Sequence, residues 1–137
     1  MASRHPITCH ILDTTTGKPA ANVNCTLFRI GEFDKDLSVS EPETLGTALT
    51  NSDGRIARWT LAGTSSDEGD LALVPGVYKI KFQTLEYFKR EGSPVTGSDR
   101  TFFPFVEIMF IVENPPDKHY HIPLLLSNYS YSTYRGS

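Results

Sequence analysis

The chain has 137 residues, of which 39% are hydrophobic and 21% charged, and its formal net charge at pH 7 is −3. A chain of this length buries about 68–70% of its unfolded surface, which is enough to build one core without staples. The mild acidity and the lack of a Lys/Arg run argue against nucleic acid as a partner. No stretch approaches the roughly 18 apolar residues of a membrane span. We expect a single domain over residues 1–137, with residues 1–6 as a flexible N-terminus.

The cysteines and the two termini bear on the compartment. Cys9 and Cys25 form no CxxC pattern and have apolar neighbours in the sequence, so we expect two buried free thiols, with a disulfide as the open alternative. The first six residues contain no apolar segment of the kind found in a secretory signal. The final Arg-Gly-Ser is not the peroxisomal Ser-Lys-Leu address. We therefore expect a cytoplasmic or peroxisomal protein.

Strands are predicted wherever apolar residues alternate between turn residues. The predicted strands cover residues 7–12, 23–30, 55–59, 77–82 and 102–112, followed by a C-terminal strand that begins at His119. In the first strand, Ile7, Cys9 and Ile11 share one face, while Thr8 and His10 lie on the other. The strand at 102–112 is so rich in aromatic and β-branched residues that we expect burial on much of both faces.

The remaining segments are predicted to be loops and one helix. Residues 31–47 and 62–70 are polar and acidic, which is typical of exposed loops. Residues 84–90 predict a short helix that buries Leu85 and Phe88, with Gly92 placed to end it. Seven or eight short, regularly spaced strands with a single helix favour a β-sandwich over an α/β fold.

Three features could carry chemistry, although each has an ordinary structural explanation. His10 lies on the polar face of an otherwise apolar strand, where a histidine is more often a hydrogen-bonded structural residue. Arg55 directly follows an Asp-Gly turn, a place where arginine is usually solvated. His119 and His121 are two residues apart, so a strand would present them on one face, about 7 Å apart.

Two kinds of site are compatible with these residues. Three histidines could bind a catalytic zinc ion, although nothing in their spacing requires one. Without a metal, neutral imidazoles beside an arginine suit acid–base chemistry near pH 7 and the recognition of a planar or anionic substrate. Tyr134 and Ser137 would add hydroxyl groups. From the residues alone, the chain is a β-sandwich with a polar His/Arg/Tyr site.

Four segments in order resemble one family. They are HILDTTTGKPA at residues 10–20, TNSDGR at 50–55, FPFVE at 103–107, and HYHIPLLLS continuing to YSTYRGS at 119–137. Together they look like 5-hydroxyisourate hydrolases, enzymes of urate breakdown that have the transthyretin fold. The terminal Tyr-Arg-Gly-Ser is specific, since the hormone-carrying transthyretins lack it. The chain departs from the family's pattern in longer loops at 31–49 and 62–75, and in Asn128, where proline is usual.

The resemblance implies a fold, an assembly and a reaction. The fold would be an all-β, transthyretin-like β-sandwich of two four-stranded sheets with one short α-helix. Four copies would form a homotetramer with active sites at the dimer–dimer interface. Water would open a ring amide of 5-hydroxyisourate to give 2-oxo-4-hydroxy-4-carboxy-5-ureidoimidazoline, without a metal or other cofactor. The alternative function is a carrier that binds a small ligand in the same tetramer channel.

The resemblance also implies a set of site residues. The catalytic residues would be His10, Arg55, His121 and Ser137, and the substrate-binding residues His10, Arg55 and Tyr134. His121 is preferred to His119 because it lies sixteen residues before the terminal serine, as the family's site histidine does. The role of His119 stays open, and so does the choice of general base.

Overall fold

The computed structural model of this chain describes residues 3–89 and 100–137. Within these residues it contains ten strands and one helix. They are β1 (Ile7–Asp13), β2 (Lys18–Pro19), β3 (Asn24–Glu32), β4 (Val39–Leu49), β5 (Arg55–Ile56), β6 (Thr60–Leu61), β7 (Gly76–Phe82), α1 (Thr84–Phe88), β8 (Val106–Val112), β9 (Tyr120–Leu126) and β10 (Tyr131–Thr133). Over the same residues, no helix has the length and hydrophobicity to cross a membrane.

The strands form two sheets that pack around one core. The first sheet has the order β10-β9-β1-β2, with β5 also paired to β1, and the second has the order β6-β4-β3-β7-β8. Apolar side chains from both sheets belong to a single buried cluster, which is the arrangement of a β-sandwich. The predicted fold class is therefore confirmed. Each sheet has five strands rather than four, because the two-residue strands β2, β5 and β6 are included.

β1 alternates between the core and the outer face of the first sheet, as predicted. Ile7, Cys9 and Ile11 are fully buried, which leaves Thr8 and His10 on the opposite face. β1 runs parallel to β9 along its whole length. Both faces of this central pair are thereby fixed, one toward the core and one toward the outside.

The segment 31–47 was predicted to be an exposed loop, and this is wrong. Residues 39–49 form β4, which pairs antiparallel with β3. The prediction failed because β4 is exposed over most of its length, so no hydrophobic alternation marks it. Its backbone hydrogen bonds to β3 make it a strand despite its polar sequence.

The predicted strand at 55–59 is a strand only at residues 55–56, and the next strand, at 60–61, belongs to the other sheet. β5 pairs with β1 in the first sheet, whereas β6 pairs with β4 in the second. Trp59 lies between them, fully buried, and its indole N–H donates to the Ile7 carbonyl at 2.9 Å. A buried tryptophan needs such an acceptor, and the chain crosses between the sheets where this side chain enters the core.

β8 and α1 differ in part from their predictions. β8 begins at Val106 and is buried on one face only, since Met109 and Ile111 are exposed. It lies at the edge of its sheet, where residues 3–89 and 100–137 leave the side chains of its outer face exposed. α1 buries Phe88 as predicted, whereas Leu85 is only half-buried. The predicted helix end at Gly92 lies outside the described residues.

The cysteines are as predicted, but the N-terminus differs at His5. Cys9 and Cys25 are buried free thiols. His5 was expected to be part of a flexible segment, yet it is 2% exposed. Its Nδ1 accepts the backbone N–H of Trp59 at 2.9 Å, so its Nε2 carries the proton and donates to the Gly69 carbonyl at 2.7 Å.

Gly54 makes the turn that delivers β5 to β1, and its replacement by alanine should destabilise the fold. Gly54 has φ +73°, and an added Cβ would lie 2.5 Å from the Ile11 carbonyl oxygen. The left-handed backbone costs an alanine about 1–2 kcal/mol, and the clash adds about 1–3 kcal/mol. Urea unfolding of Gly54→Ala should show a free energy of unfolding that is lowered by both costs together.

Gly17→Ala is the matched control for this prediction. Gly17 has the same φ of +73°, but an added Cβ would meet nothing within 4 Å. The Gly17→Ala variant should therefore lower the free energy of unfolding only by the cost of the left-handed backbone. Equal losses for the two variants would contradict the close approach at Gly54.

Candidate active site

The outer face of the first sheet brings the predicted site residues together through strand pairing. β9 runs parallel to β1 and places His121 opposite Thr8. β5 runs antiparallel to β1 on its other side and places Arg55 opposite His10. Because residues in register across a sheet lie side by side, three strands contribute neighbouring polar side chains to one surface.

A cleft of about 200 Å³ opens on this surface. Its polar lining comes from β1, β5, β9 and both ends of the chain. The lining residues are Arg4, Thr8, Cys9, Arg55, Ile56, Ala57, His119, His121 and Ser137. The cleft therefore combines a guanidinium group, imidazoles and the terminal hydroxyl in a volume suited to a small molecule.

The ring of His121 lies between those of His10 and His119. Its ring centroid is 6.4 Å from that of His10 and 6.1 Å from that of His119, with interplanar angles of 25° and 28°. The Thr8 hydroxyl lies between His119 and His121, 2.8 Å from His119 Nε2 and 2.7 Å from His121 Nδ1. Hydrogen bonding of Nδ1 to Thr8 leaves Nε2 as the ring nitrogen of His121 that can act on a ligand.

The environment of His10 and His121 favours the neutral form of both imidazole rings. Burial, followed by the positive charge of Arg55, lowers the pKa of His10, while Asp53 acts in the opposite direction. Burial and Arg55 also lower the pKa of His121, and the neighbouring His119 adds to the effect. Since the ordinary value is near 6.5, both rings are mainly neutral at pH 7. Each can accept a proton beside a fixed cation.

The C-terminal tail folds back along β9. The Gly136 N–H donates to the His121 carbonyl at 2.9 Å. The Arg135 guanidinium lies over the ring of Tyr120, 4.6 Å from its centroid, and donates to Asp117 at 2.9 Å. These contacts fix the end of the chain and bring Ser137 into the cleft.

Not every predicted site residue reaches this cleft. Arg55, His121 and Ser137 line it, and His10 lies beside His121. Tyr134 instead lines a neighbouring cavity of about 320 Å³ between β8, β9 and the tail, which shares His121 with the cleft. Tyr134 thus lines a different cavity from Arg55 and Ser137, and His121 contributes to both.

Three residues of the site were not predicted from the sequence. Thr8 could have been found, since it lies two residues before His10 on the same face of a predicted strand. Gly136 is within the quoted C-terminal motif, but its role depends on the close approach of the tail to His121. Arg4 gave no signal, because its neighbourhood was expected to be flexible.

The zinc alternative finds no ligand set in residues 3–89 and 100–137. No group of three or more His, Cys, Asp or Glu side chains there is placed to hold a metal ion.

Comparisons with known proteins find relatives in both sequence and structure. The HIUase/Transthyretin family model matches residues 7–136. A probable 5-hydroxyisourate hydrolase of Schizosaccharomyces pombe is 38% identical over the full length of both chains. The 5-hydroxyisourate hydrolase of Klebsiella pneumoniae has a similar structure, with a TM-score of 0.68, 31% identity, and coverage of 96% of this chain and 98% of that one. Transthyretin from Sparus aurata, at 26% identity, has a TM-score of 0.69 and 97% coverage of both chains.

Gly136→Ala should displace the His121 ring. A Cβ at Gly136 would lie 2.6 Å from His121 Cδ2 and 3.0 Å from Pro123 Cγ, so the tail and the His121 ring must move apart. We expect the His121 imidazole resonances to move in ¹⁵N NMR spectra and the free energy of unfolding to fall by about 1–3 kcal/mol. Gly17→Ala, where the added Cβ meets open space, should leave these resonances unchanged. Unchanged His121 resonances in Gly136→Ala would show that the tail does not press on the ring.

Proposed function

This chain belongs to the HIUase/transthyretin family, as its motifs predicted, and we propose that it hydrolyses 5-hydroxyisourate to 2-oxo-4-hydroxy-4-carboxy-5-ureidoimidazoline in urate degradation. The observation that carries the proposal is the site itself: neutral His121 and the cation of Arg55 line one cleft, and neutral His10 lies beside His121. Amide hydrolysis requires these two elements, a base for the attacking water and a positive charge for the developing oxyanion.

His121 has the better geometry for the general base. Thr8 holds its Nδ1, which directs Nε2 toward the ligand, and the ring lies within the cleft lining. In the proposed reaction, Nε2 takes a proton from water as the water oxygen bonds to the ring carbonyl carbon. The carbon–nitrogen bond then breaks, and the leaving nitrogen receives a proton. His10, beside His121, orients the water or the substrate ring.

Arg55 is proposed to hold substrate carbonyl groups and the oxyanion. It is exposed on the cleft side of β5, and its backbone is fixed by Asn51, whose Oδ1 accepts the Arg55 N–H at 3.0 Å. A planar guanidinium suits a carbonyl-rich planar ring because it can donate two parallel hydrogen bonds. Its charge also keeps the neighbouring histidines unprotonated.

Ser137 and Tyr134 are proposed to orient the substrate from two sides. Ser137 faces the cleft and can hydrogen-bond the ring directly. Tyr134 lines the neighbouring cavity beyond His121, so its hydroxyl would reach only a substrate that extends past that ring. We expect Ser137 to contribute more than Tyr134.

We propose a homotetramer in which this cleft lies at the dimer–dimer interface. The cleft is on the outer face of the first sheet, and residues of β1, β5, β9 and the tail line it. A second copy would exclude water from the cleft, which strengthens the electrostatic interactions within it. No metal or other cofactor takes part in the proposed reaction, and the proposed compartment is the cytoplasm or the peroxisome.

A carrier function is the alternative, because Sparus aurata transthyretin shares the fold. A carrier needs an affinity for its ligand but no base. Neutral His121, Arg55 and Ser137 in one cleft, with His10 beside His121, therefore favour the hydrolase. The two functions differ in one measurable respect, which is turnover.

The wild-type chain should accelerate the decay of freshly generated 5-hydroxyisourate, followed by ultraviolet absorbance. His121→Asn and His10→Asn should each reduce kcat/KM by about 10²–10⁴-fold, the usual contribution of a general acid or base. Added EDTA should change nothing. Tyr134→Phe is the comparison variant and should lose less than either histidine variant. If the wild-type protein left the spontaneous rate of 5-hydroxyisourate decay unchanged, the hydrolase proposal would be wrong.

The pH dependence should follow the lowered histidine pKa values. The neutral base is the active form, so kcat/KM should be constant above the ordinary value of 6.5 and fall only as the pH drops through the lowered pKa. Arg55→Gln removes the cation that lowers both pKa values, so the acid limb should move to higher pH. Lys18→Gln, an exposed cation on β2, should leave the limb in place. An acid limb that Arg55→Gln does not move would contradict the electrostatic role of Arg55.

A further inference from the structure

We propose that Thr8 is a proton relay between His121 and His119, and that His119 holds the proton which the attacking water loses. This inference rests on the proposed hydrolase activity, since it concerns the path of that proton. The Thr8 hydroxyl is within hydrogen-bonding distance of both rings, at 2.7 Å from His121 Nδ1 and 2.8 Å from His119 Nε2. The relay gives a function to His119, which the proposed reaction otherwise leaves without one.

The hydroxyl group couples the tautomers of the two rings. A threonine hydroxyl has one proton to donate and can also accept. If both short contacts are hydrogen bonds, Thr8 donates to one ring nitrogen and accepts an N–H from the other. One ring must therefore present a protonated nitrogen to Thr8 while the other presents a lone pair.

One of the two arrangements prepares His121 as the base. In it, His121 Nδ1–H donates to Thr8 Oγ1, and the Thr8 hydroxyl donates to His119 Nε2. His121 Nε2 then carries a lone pair toward the cleft, where water would lie. His119 carries its proton on Nδ1, and its Nε2 is ready to accept another.

Proton transfer along this line balances at every atom. Water gives a proton to His121 Nε2 as its oxygen bonds to the carbonyl carbon. The Nδ1 proton of His121 passes to Thr8 Oγ1, and the Thr8 proton passes to His119 Nε2. His121 is then neutral with its proton on Nε2, Thr8 is unchanged, and His119 is an imidazolium ion.

The same line run in reverse completes the reaction. As the ring carbon–nitrogen bond breaks, the leaving nitrogen takes the Nε2 proton of His121. His119 returns its extra proton through Thr8 to His121 Nδ1. The three residues regain their first arrangement, and the water has supplied one proton and one hydroxyl group to the product.

His119 lies apart from the Arg55 cation and can return an added proton. Burial, followed by the positive charges of Arg4 and Arg135, lowers the pKa of His119, so the imidazolium formed there is short-lived. Arg135 is paired with Asp117 at 2.9 Å, and Arg4 is exposed, so water and a carboxylate weaken both charges. A proton on His119 is thus removed from the Arg55 cation that must bind the oxyanion.

Thr8 is well fixed for this role. It is 6% exposed and lies in register with His121 on the parallel strand. A purely structural hydroxyl would only hold the His121 ring in place. The relay makes a further demand, that the proton of the hydroxyl itself moves during catalysis.

The test uses the full chain and three variants. Thr8→Val keeps the shape but removes the hydroxyl, Thr8→Ser keeps the hydroxyl, and His119→Gln removes the proton acceptor. We expect Thr8→Val and His119→Gln each to lower kcat about 10–100-fold with little change in KM, within the usual range for proton transfer. Thr8→Ser should stay within about threefold of wild type. The double variant should lose no more than either single variant, because both interrupt one path.

Solvent isotope effects separate the relay from simple positioning. In mixtures of H₂O and D₂O, the wild-type kcat should fall along a curve, because several protons move together. Thr8→Val should give a line, since only the proton of water then moves. A wild-type line, additive losses in the double variant, or Thr8→Val activity within twofold of wild type would each overturn the relay.

Ring ¹⁵N NMR without substrate distinguishes this proposal from the hydrolase proposal. His119 and His121 in the wild type should present opposite protonation states to Thr8, and Thr8→Val should abolish that coupling. If the wild-type protein did not accelerate 5-hydroxyisourate decay, the hydrolase proposal would fail whatever the spectra show. Independent tautomers in the wild type would instead overturn the relay alone. Circular dichroism of each variant checks that its sheets are intact.

Discussion

The parallel pairing of β1 with β9 is the constraint on which the site depends. Seven consecutive residues of each strand are in register, so a shift of one residue would exchange core and outer faces over the whole pair. The buried faces of both strands prevent that shift, because it would move Ile7, Cys9 and Ile11 from the core to the outer face. The pairing of the two strands therefore holds Thr8 and His121 side by side.

The remaining parts of the site are added to this pair from its edges. β5 brings Arg55 beside His10 through a turn in which Gly54 contacts the β1 backbone. The tail brings Ser137 from the other side, where Gly136 permits a close approach to His121. Glycine at these two places allows backbone and side chains to meet at distances that a Cβ would prevent. The site is therefore built by close packing of short segments against one rigid strand pair.

The electrostatics of the site follow from its position on an outer face. The histidines are only partly buried, so water still reaches them, while Arg55 adds a fixed positive charge. Partial burial and the Arg55 charge both lower the histidine pKa values, and neither requires a deeply buried ion. A base that stays neutral at pH 7 and a cation beside it are compatible because the cation disfavours protonation of the base. Closure by a second copy would strengthen this arrangement without changing its members.

Hydrophobic alternation by itself determined the fold class and the faces of β1, because one-sided burial leaves a period of two in the sequence. Apolar residues three positions apart, Leu85 and Phe88, indicated the short helix. The alternation also placed His10 on a polar face and His121 on a strand. Only the tertiary structure decided that β4 is a strand, that residues 55–61 divide between two sheets, and that His5 belongs to the core. It alone joined Thr8, His119 and His121 and separated Tyr134 from Arg55. The physical reason is that periodicity records which face of a strand is buried, whereas the choice of neighbouring strand is made by hydrogen bonds and packing between residues more than a hundred positions apart.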